Sequence, residues 1–192
     1  MIEELERLKN LYGRMDAEFE RLSSDCGLAC GDCDDNCCTQ RFNHHTLAEY
    51  MYLLEGLKTA PEETRDTIIR RARVVVESYA HELQAGEIFK LMCPANFDGL
   101  CALYEWRPMI CRLHGVPHHF VMPDGSKRTG PGCHRVAAGF AESKSLDRTP
   151  FYTELATIEK NIRQLSGYRE RFRKTTAQMI MDMSLEMDIE EV

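Results

Sequence analysis

Nine cysteines carry the distinctive chemistry of this chain of 192 residues: Cys26, Cys30, Cys33, Cys37, Cys38, Cys93, Cys101, Cys111 and Cys133. The first five are crowded into Cys26-Gly-Leu-Ala-Cys30-Gly-Asp-Cys33-Asp-Asp-Asn-Cys37-Cys38. Three thiols spaced by three and then two residues can wrap one metal centre, and Gly27 and Gly31 let the backbone turn tightly around it. In a reducing compartment such a set reads as metal ligands rather than disulfides. The odd total also leaves one thiol over if all the others were bridged. Buried or redox-active thiols are the third reading. It is reasonable for one or two of them and strains for eight or nine. All nine are therefore candidate metal ligands. Cys37 and Cys38 are adjacent, so in an extended backbone their side chains point apart, and only one of them is expected to complete the first centre. The gaps between Cys93, Cys101, Cys111 and Cys133 are too wide for a single zinc knuckle, so any metal they share must be assembled by the fold.

Thiolate-only ligation suits zinc and iron–sulfur clusters alike. The set leans slightly to iron–sulfur, because three close thiols plus distant ones look more like a cluster-binding set than paired zinc knuckles. Arg107 and Arg112 flank Cys111 and are the candidate cofactor-binding cations. Four thiolates on one divalent ion leave a net negative charge that guanidinium groups can offset while donating to sulfur. Their plainer reading is a pair of surface or ion-paired arginines. Pro108 is expected to fix a turn that aims Cys111, and Trp106 either shields the site or belongs to the core. His114, His118, His119 and His134 lie near Cys111 or Cys133 in sequence and can ligate zinc or iron, but a lone histidine is seldom a ligand.

The block Cys93-Pro94…Cys101-Ala-Leu-Tyr104-Glu105-Trp106-Arg107-Pro108-Met-Ile-Cys111-Arg112 resembles the second half of the CxxCxxCC family of zinc- or iron-chelating domains. In that family a leading cysteine cluster precedes a Cys-Pro…Cys…Tyr-Glu-x-Arg-Pro…Cys-Arg block. The similarity runs from about residue 26 to 133, and the first block departs from the family spacing at Cys26–Cys30 and Cys33–Cys37. The cluster is also similar to that of flagellin lysine-N-methylase. The resemblance implies a zinc protein or an iron–sulfur enzyme. The spacing of Cys26, Cys30 and Cys33 equals that of radical S-adenosylmethionine enzymes, but this short helical pattern offers no β/α barrel to carry it. There is no P-loop, dinucleotide fingerprint, nucleophile elbow or zincin helix.

The elements that must position these residues are mostly helical. Leu5, Leu8, Tyr12, Met15, Phe19 and Leu22 fall at steps of three and four, one stripe of a first helix. Thr46 followed by Glu49 has the spacing of a capping box and opens a second. Pro61-Glu62-Glu63 starts a third, with Ile68, Ala72, Val75, Tyr79 and Leu83 as its buried stripe and Gly86 near its end. Residues 26–44 and 93–133 read as irregular loops, with a hairpin expected at Phe120–Arg128 around Pro123-Asp124-Gly125. Thr149-Pro150 opens a long terminal helix whose stripe runs from Leu155 to Met183, with a bend or split at Ser166-Gly167. Its methionines read as core or a dimer seam more readily than as a partner surface. The expected fold class is mainly α, with helices carrying two cysteine-rich metal loops. Residues 1–145 read as the metal-binding domain and 146–192 as a helical extension packed on it or forming a partner seam.

Lys plus Arg total 24 against 31 Asp plus Glu, a formal charge of −7. That argues against a nucleic-acid partner, and no apolar run approaches the ~18 residues of a membrane span. The start, Met1-Ile2-Glu3-Glu4-Leu5, lacks the basic and apolar stretches of a signal peptide, so a soluble cytoplasmic protein is expected. The expected function is metal binding at a cysteine-ligated iron–sulfur or zinc centre, serving a protein-modifying or redox enzyme that acts on a protein substrate. The alternative is a non-catalytic zinc-stapled helical domain that binds a protein partner.

Overall fold

A computed structural model of the chain describes residues 1–28, 37–85, 90–136 and 144–190. The chain is mainly helical and divides into two units that each draw on separate stretches of sequence. Unit 1 comprises Met1–Cys33 and Met109–Arg169; unit 2 comprises Asp34–Pro108 and Glu170–Val192.

Unit 1 is organised on helix α1 (Ile2–Asp25), whose acidic first turn, Glu3 and Glu4, suits the positive end of the helix. Leu8, Leu11, Tyr12, Met15 and Leu22 form its buried stripe. The short helix α4 (Met109–Leu113) and the longer α5 (Thr149–Ser166) both pack on it. Helix α5 buries Phe151, Leu155, Ile158 and Ile162, and its polar flank joins α1 through Arg14 and Glu154 at 2.6 Å. The expected hairpin is present: β3 (His118–Val121) pairs antiparallel with β4 (Lys127–Gly130), and Gly125 sits in the turn at φ 83°. A strand not foreseen, β5 (Leu146–Asp147), runs parallel to the other edge of β3.

In unit 2, helix α2 (Leu47–Thr59) starts at the predicted capping box. The Glu49 amide donates to Thr46 Oγ1 at 3.2 Å, and that hydroxyl donates to the Glu49 carboxylate at 2.7 Å. Helix α3 (Glu62–Ala85) follows Pro61 and buries Ile68, Ala72 and Val75. Gly86, expected near its end, lies outside the described residues. Helix α6 (Thr176–Glu190) packs on α3 through the face that holds Met179, Ile180 and Met183, all fully buried, so these methionines are core.

The terminal helix is therefore split where Ser166-Gly167 suggested. Gly167 takes φ 72°, a left-handed cap that ends α5, and the chain between α5 and α6 pairs Lys174 with His44 as an isolated antiparallel bridge. The segment 93–133 is also more regular than an irregular loop. It carries β1 (Asn96–Phe97), β2 (Leu100–Cys101), a 3₁₀ turn at Tyr104–Trp106, α4 and the hairpin. No helix among the described residues is long and apolar enough to cross a membrane.

Candidate metal centre

Unit 2 builds one thiol-rich site from two segments far apart in sequence. The first is the 3₁₀ turn Cys37–Thr39. A 3₁₀ turn rotates about 120° per residue rather than the half-turn of a strand. Adjacent side chains there need not point apart, and the Cys37 and Cys38 side chains are hydrogen-bonded to one another. This differs from the expectation based on extended backbone.

The second segment is joined to the first directly: the Cys93 amide donates to the Cys38 carbonyl at 2.9 Å. It then folds into the β1–β2 hairpin, in which Asn96 pairs with Cys101 and Phe97 with Leu100. Asp98 and Gly99 form the turn at φ 49° and 87°, and positive φ at both central residues is what a type I′ hairpin turn requires. Directly paired residues project from the same face of a hairpin, so Asn96 and Cys101 stand side by side. From α3, Arg71 donates to the Asn96 carbonyl at 2.7 Å and lies over the Phe97 ring, which fixes the hairpin to the helix.

Trp106 anchors the far end. It packs on Gly56 of α2 so closely that a Cβ at Gly56 would lie 2.2 Å from the indole, and its ring meets Tyr52 at 4.8 Å. Trp106 is thus a packing anchor for the segment that follows Cys101. Arg107 comes next, with Nε donating to the Tyr104 carbonyl at 2.8 Å and its guanidinium 3.5 Å from the centre of the Tyr104 ring.

The electrostatics separate the thiols. Cys38 is held down to about 6, chiefly by the hydrogen-bonded Cys37 side chain; Asn96 and the Arg107 charge add to this, and burial opposes it. Cys93 is pushed up to about 12 by burial of its thiol, with Cys101 and Cys38 adding to the rise and a hydrogen bond at the Ala95 backbone opposing it. Asn96 is a residue the sequence reading missed. It is 6% exposed, and its Oδ1 accepts from the Gly99 amide at 3.1 Å. Its Nδ2 lies outside strict hydrogen-bonding geometry, but the Asn96 side chain is close enough to Cys38 to act on it as a hydrogen-bond donor and lower that thiol. The signal that could have found it was Asp98-Gly99, a strong short hairpin cue.

Unit 1 holds its thiols differently. Cys26 caps α1, is fully buried and donates to the Ser23 carbonyl at 3.7 Å. Cys111 lies on α4. The Cys133 amide donates to the Gly115 carbonyl at 2.7 Å, and its sulfur lies 3.6 Å from His134 Nδ1. Arg112 is buried and turned to α1, where it pairs with Asp16 and lies 4.2 Å from the centre of the Tyr12 ring. Of the other candidate histidines, His119 meets the Ser145 hydroxyl at 2.8 Å, while His114 and His118 have their proton affinity lowered by burial and then by the Arg148 charge. Cys30 and Cys33 lie outside the described residues.

The structure thus brings Cys37, Cys38, Cys93 and Cys101 into one unit and Cys26, Cys111 and Cys133 into the other. Among the described residues no group of three or more His, Cys, Asp or Glu side chains stands ready to hold a metal ion. Unit 2 does hold donors of the kind a thiophilic metal takes: four thiols, the Asn96 amide beside Cys38, and the Arg107 charge. Comparison with family models, with curated proteins and with solved structures finds no match to this chain.

Proposed function

We propose that this protein binds metal through cysteine thiolates, as an iron–sulfur or zinc centre, with iron–sulfur preferred. The observation that carries the reading is the approach of Cys38, Cys93 and Cys101 in unit 2, where the Cys93 amide binds the Cys38 carbonyl, Cys101 pairs with Asn96 across the hairpin, and the Asn96 side chain reaches Cys38. A thiol whose charged form is favoured by a neighbouring N–H is one suited to ligate a metal. The candidate ligands are Cys37, Cys38, Cys93 and Cys101, with Arg107 offsetting the charge they bring. The resemblance of the 93–112 block to the CxxCxxCC family points the same way. A centre of this kind would serve a redox or protein-modifying enzyme. Purification without air, followed by metal and acid-labile sulfide analysis, tests the reading. Iron with matching sulfide is the expected result, and protein that takes up neither iron nor zinc would defeat it.

Zinc without sulfide would favour the second reading, a zinc-stapled domain that binds a protein partner. Leu100 and Tyr104 support that reading, being 76% and 58% exposed on either side of Cys101 in sequence.

A further inference from the structure

Away from the cysteines, unit 1 sets a serine, a histidine and a carboxylate in line beside a cavity. We infer that Ser145, His119 and Asp147 form a second site, one for nucleophilic acyl transfer. Ser145 is its nucleophile, His119 the base, and Asp147 a residue that positions the base. The substrate class is a short-chain carboxylic ester, and the reaction is its hydrolysis. Nothing in this inference depends on the metal-binding reading.

The register of the sheet builds the line. Strand β5 runs parallel to β3 with His119 opposite Asp147, and the Leu146 and Arg148 amides donate to the Pro117 and His119 carbonyls, each at 2.8 Å. Paired residues share a face of the sheet, and Ser145, two residues before Asp147, falls on that face as well. The imidazole stands between the two: Nδ1 is 2.8 Å from Ser145 Oγ, and Nε2 is 3.9 Å from Asp147 Oδ1. In the working tautomer Ser145 donates to Nδ1, and Nε2 carries the proton toward Asp147. The Thr149 amide donates to the same Oδ1 at 2.9 Å, which fixes the carboxylate at the start of α5. Hydrogen bonds from Thr149, chiefly from its side chain, hold Asp147 below the ordinary carboxylate range, so it is charged at neutral pH. A nucleophile bonded to a base that a third group orients is the geometry of covalent catalysis.

A serine that only satisfied a histidine would need no cavity. Ser145 and Asp147 line one of about 380 Å³, a volume suited to a small molecule. Leu146, Pro150 and Phe151 give it an apolar wall for a short acyl chain. Pro150 and Phe151 belong to the first turn of α5, whose amides have no acceptor within their own helix, so the helix's positive end borders the cavity. Such an end favours the negative charge that builds on a carbonyl oxygen under attack. The sequence around Ser145 has no nucleophile elbow; the pairing of β5 with β3 presents the hydroxyl instead. In the reaction Ser145 Oγ bonds to the acyl carbon while its proton passes to His119 Nδ1. The bond to the alkoxide then breaks, and the alkoxide leaves with that proton. Water attacks the acyl-serine and gives its proton to His119, which returns it to Ser145 as the carboxylic acid departs.

The test treats the full chain with an alkyl fluorophosphonate, which phosphonylates an activated serine with loss of fluoride, and locates the label by peptide mass. Turnover of 4-methylumbelliferyl butyrate and palmitate is followed alongside, and circular dichroism checks that each variant folds. The label should fall on Ser145, and the butyrate ester should be hydrolysed faster than the palmitate. Ser145→Ala should lose both label and turnover, and His119→Gln should slow labelling about a hundredfold or more. Asp147→Asn keeps an acceptor for the Thr149 amide but loses the charge, and Lys127, whose charge acts on Asp147, stays in place. That variant should slow labelling about tenfold and move its half-maximal rate to lower pH, because the protonated imidazole is no longer favoured. A merely structural Asp147 would leave the midpoint where it was.

Unlabelled Ser145 in folded wild-type protein would overturn the inference, as would equally fast labelling in folded His119→Gln. Ester turnover that survives Ser145→Ala would assign the hydrolysis to another group, such as a cysteine, and overturn it too. An unmoved pH midpoint in folded Asp147→Asn would overturn the positioning role.

Discussion

The two units treat their cysteines in opposite ways. Unit 2 gathers Cys38 and Cys93 from segments 55 positions apart, joined by a backbone hydrogen bond of 2.9 Å. Cys101 and Cys111 are only ten positions apart in sequence, yet they fall in different units. The arginines repeat the contrast. Arg107 lends charge to Cys38, whereas Arg112, five residues on, is buried against α1 with Asp16 as its partner. Sequence spacing locates a ligand set only while the chain stays local. Beyond a turn or a hairpin, the grouping is decided by which helix each segment packs on.

The contrast can be sharpened first with pH. His44 of unit 2 is 2% exposed, and burial, with a smaller contribution from His45, lowers it to about 4. Its Nδ1 has no hydrogen-bond partner, and the Glu49 carboxylate 4.0 Å away is already engaged by Thr46, so burial prevails. The unfolded chain takes up this proton near 6.5, well before the folded one does. Stability contributed by neutral His44 is therefore complete above about pH 6.5 and lost as pH falls toward 4, to a total of about 3 kcal/mol. Denaturant unfolding of metal-free protein across that range should show the loss, and His44→Gln should flatten it. An unchanged slope in the variant would remove His44 from the account. His114 and His118 of unit 1 are shifted in the same direction but are partly exposed, so protection from exchange should fall further in unit 2 than in unit 1 on acidification.

A slightly smaller effect is expected at Arg112. Arg112→Ala removes a buried cation from its carboxylate and from the Tyr12 ring, but Asp16 retains access to water, with a third of its side chain exposed. That access brings the expected loss below the full cost of breaking a buried pair, to about 2–3 kcal/mol. Metal content should stay at the wild-type level. A fall in metal content in the folded variant would return Arg112 to the site, where its sequence position suggested it belonged.

The mildest change probes the Trp106 anchor. Gly56→Ala places a methyl group where the indole stands, which should cost about 1–3 kcal/mol as Trp106 moves. Because Trp106 leads into Arg107, metal affinity should fall as well, measurably but less than on replacing a candidate cysteine ligand. A destabilised variant with unchanged affinity would separate the anchor from the site.

Much of the scaffold was legible in the sequence. The Thr46–Glu49 capping box and the turn at Asp124-Gly125 each depend on a few residues close together, and each formed where its pattern placed it; the α1 stripe formed as well, with Leu11 joining it and Leu5 and Phe19 only half-buried. The split after Ser166 was readable from Gly167 for the same reason. The site was less legible. Asp98-Gly99 announced a hairpin that was read as loop, because the apolar alternation around it lasts only two residues on each side. Extended backbone would point Cys37 and Cys38 apart, but a single 3₁₀ turn holds them instead and leaves their side chains within hydrogen-bonding reach of each other. Arg107 and Arg112 looked equivalent from their flanking of Cys111. Only the packing of α4 on α1 separates them.

Site-resolved thiol labelling tests the central claim most directly. Protein purified without air is treated with an alkylating reagent before and after chelation, and each cysteine is read by peptide mass. Cys37, Cys38, Cys93 and Cys101 should resist labelling together while metal is bound and become reactive together once it is removed. Cys133, partly exposed in unit 1, should label at similar rates in both states. If the four thiols of unit 2 labelled independently of one another, or at rates that chelation did not change, no shared metal centre would hold them and the account would be wrong.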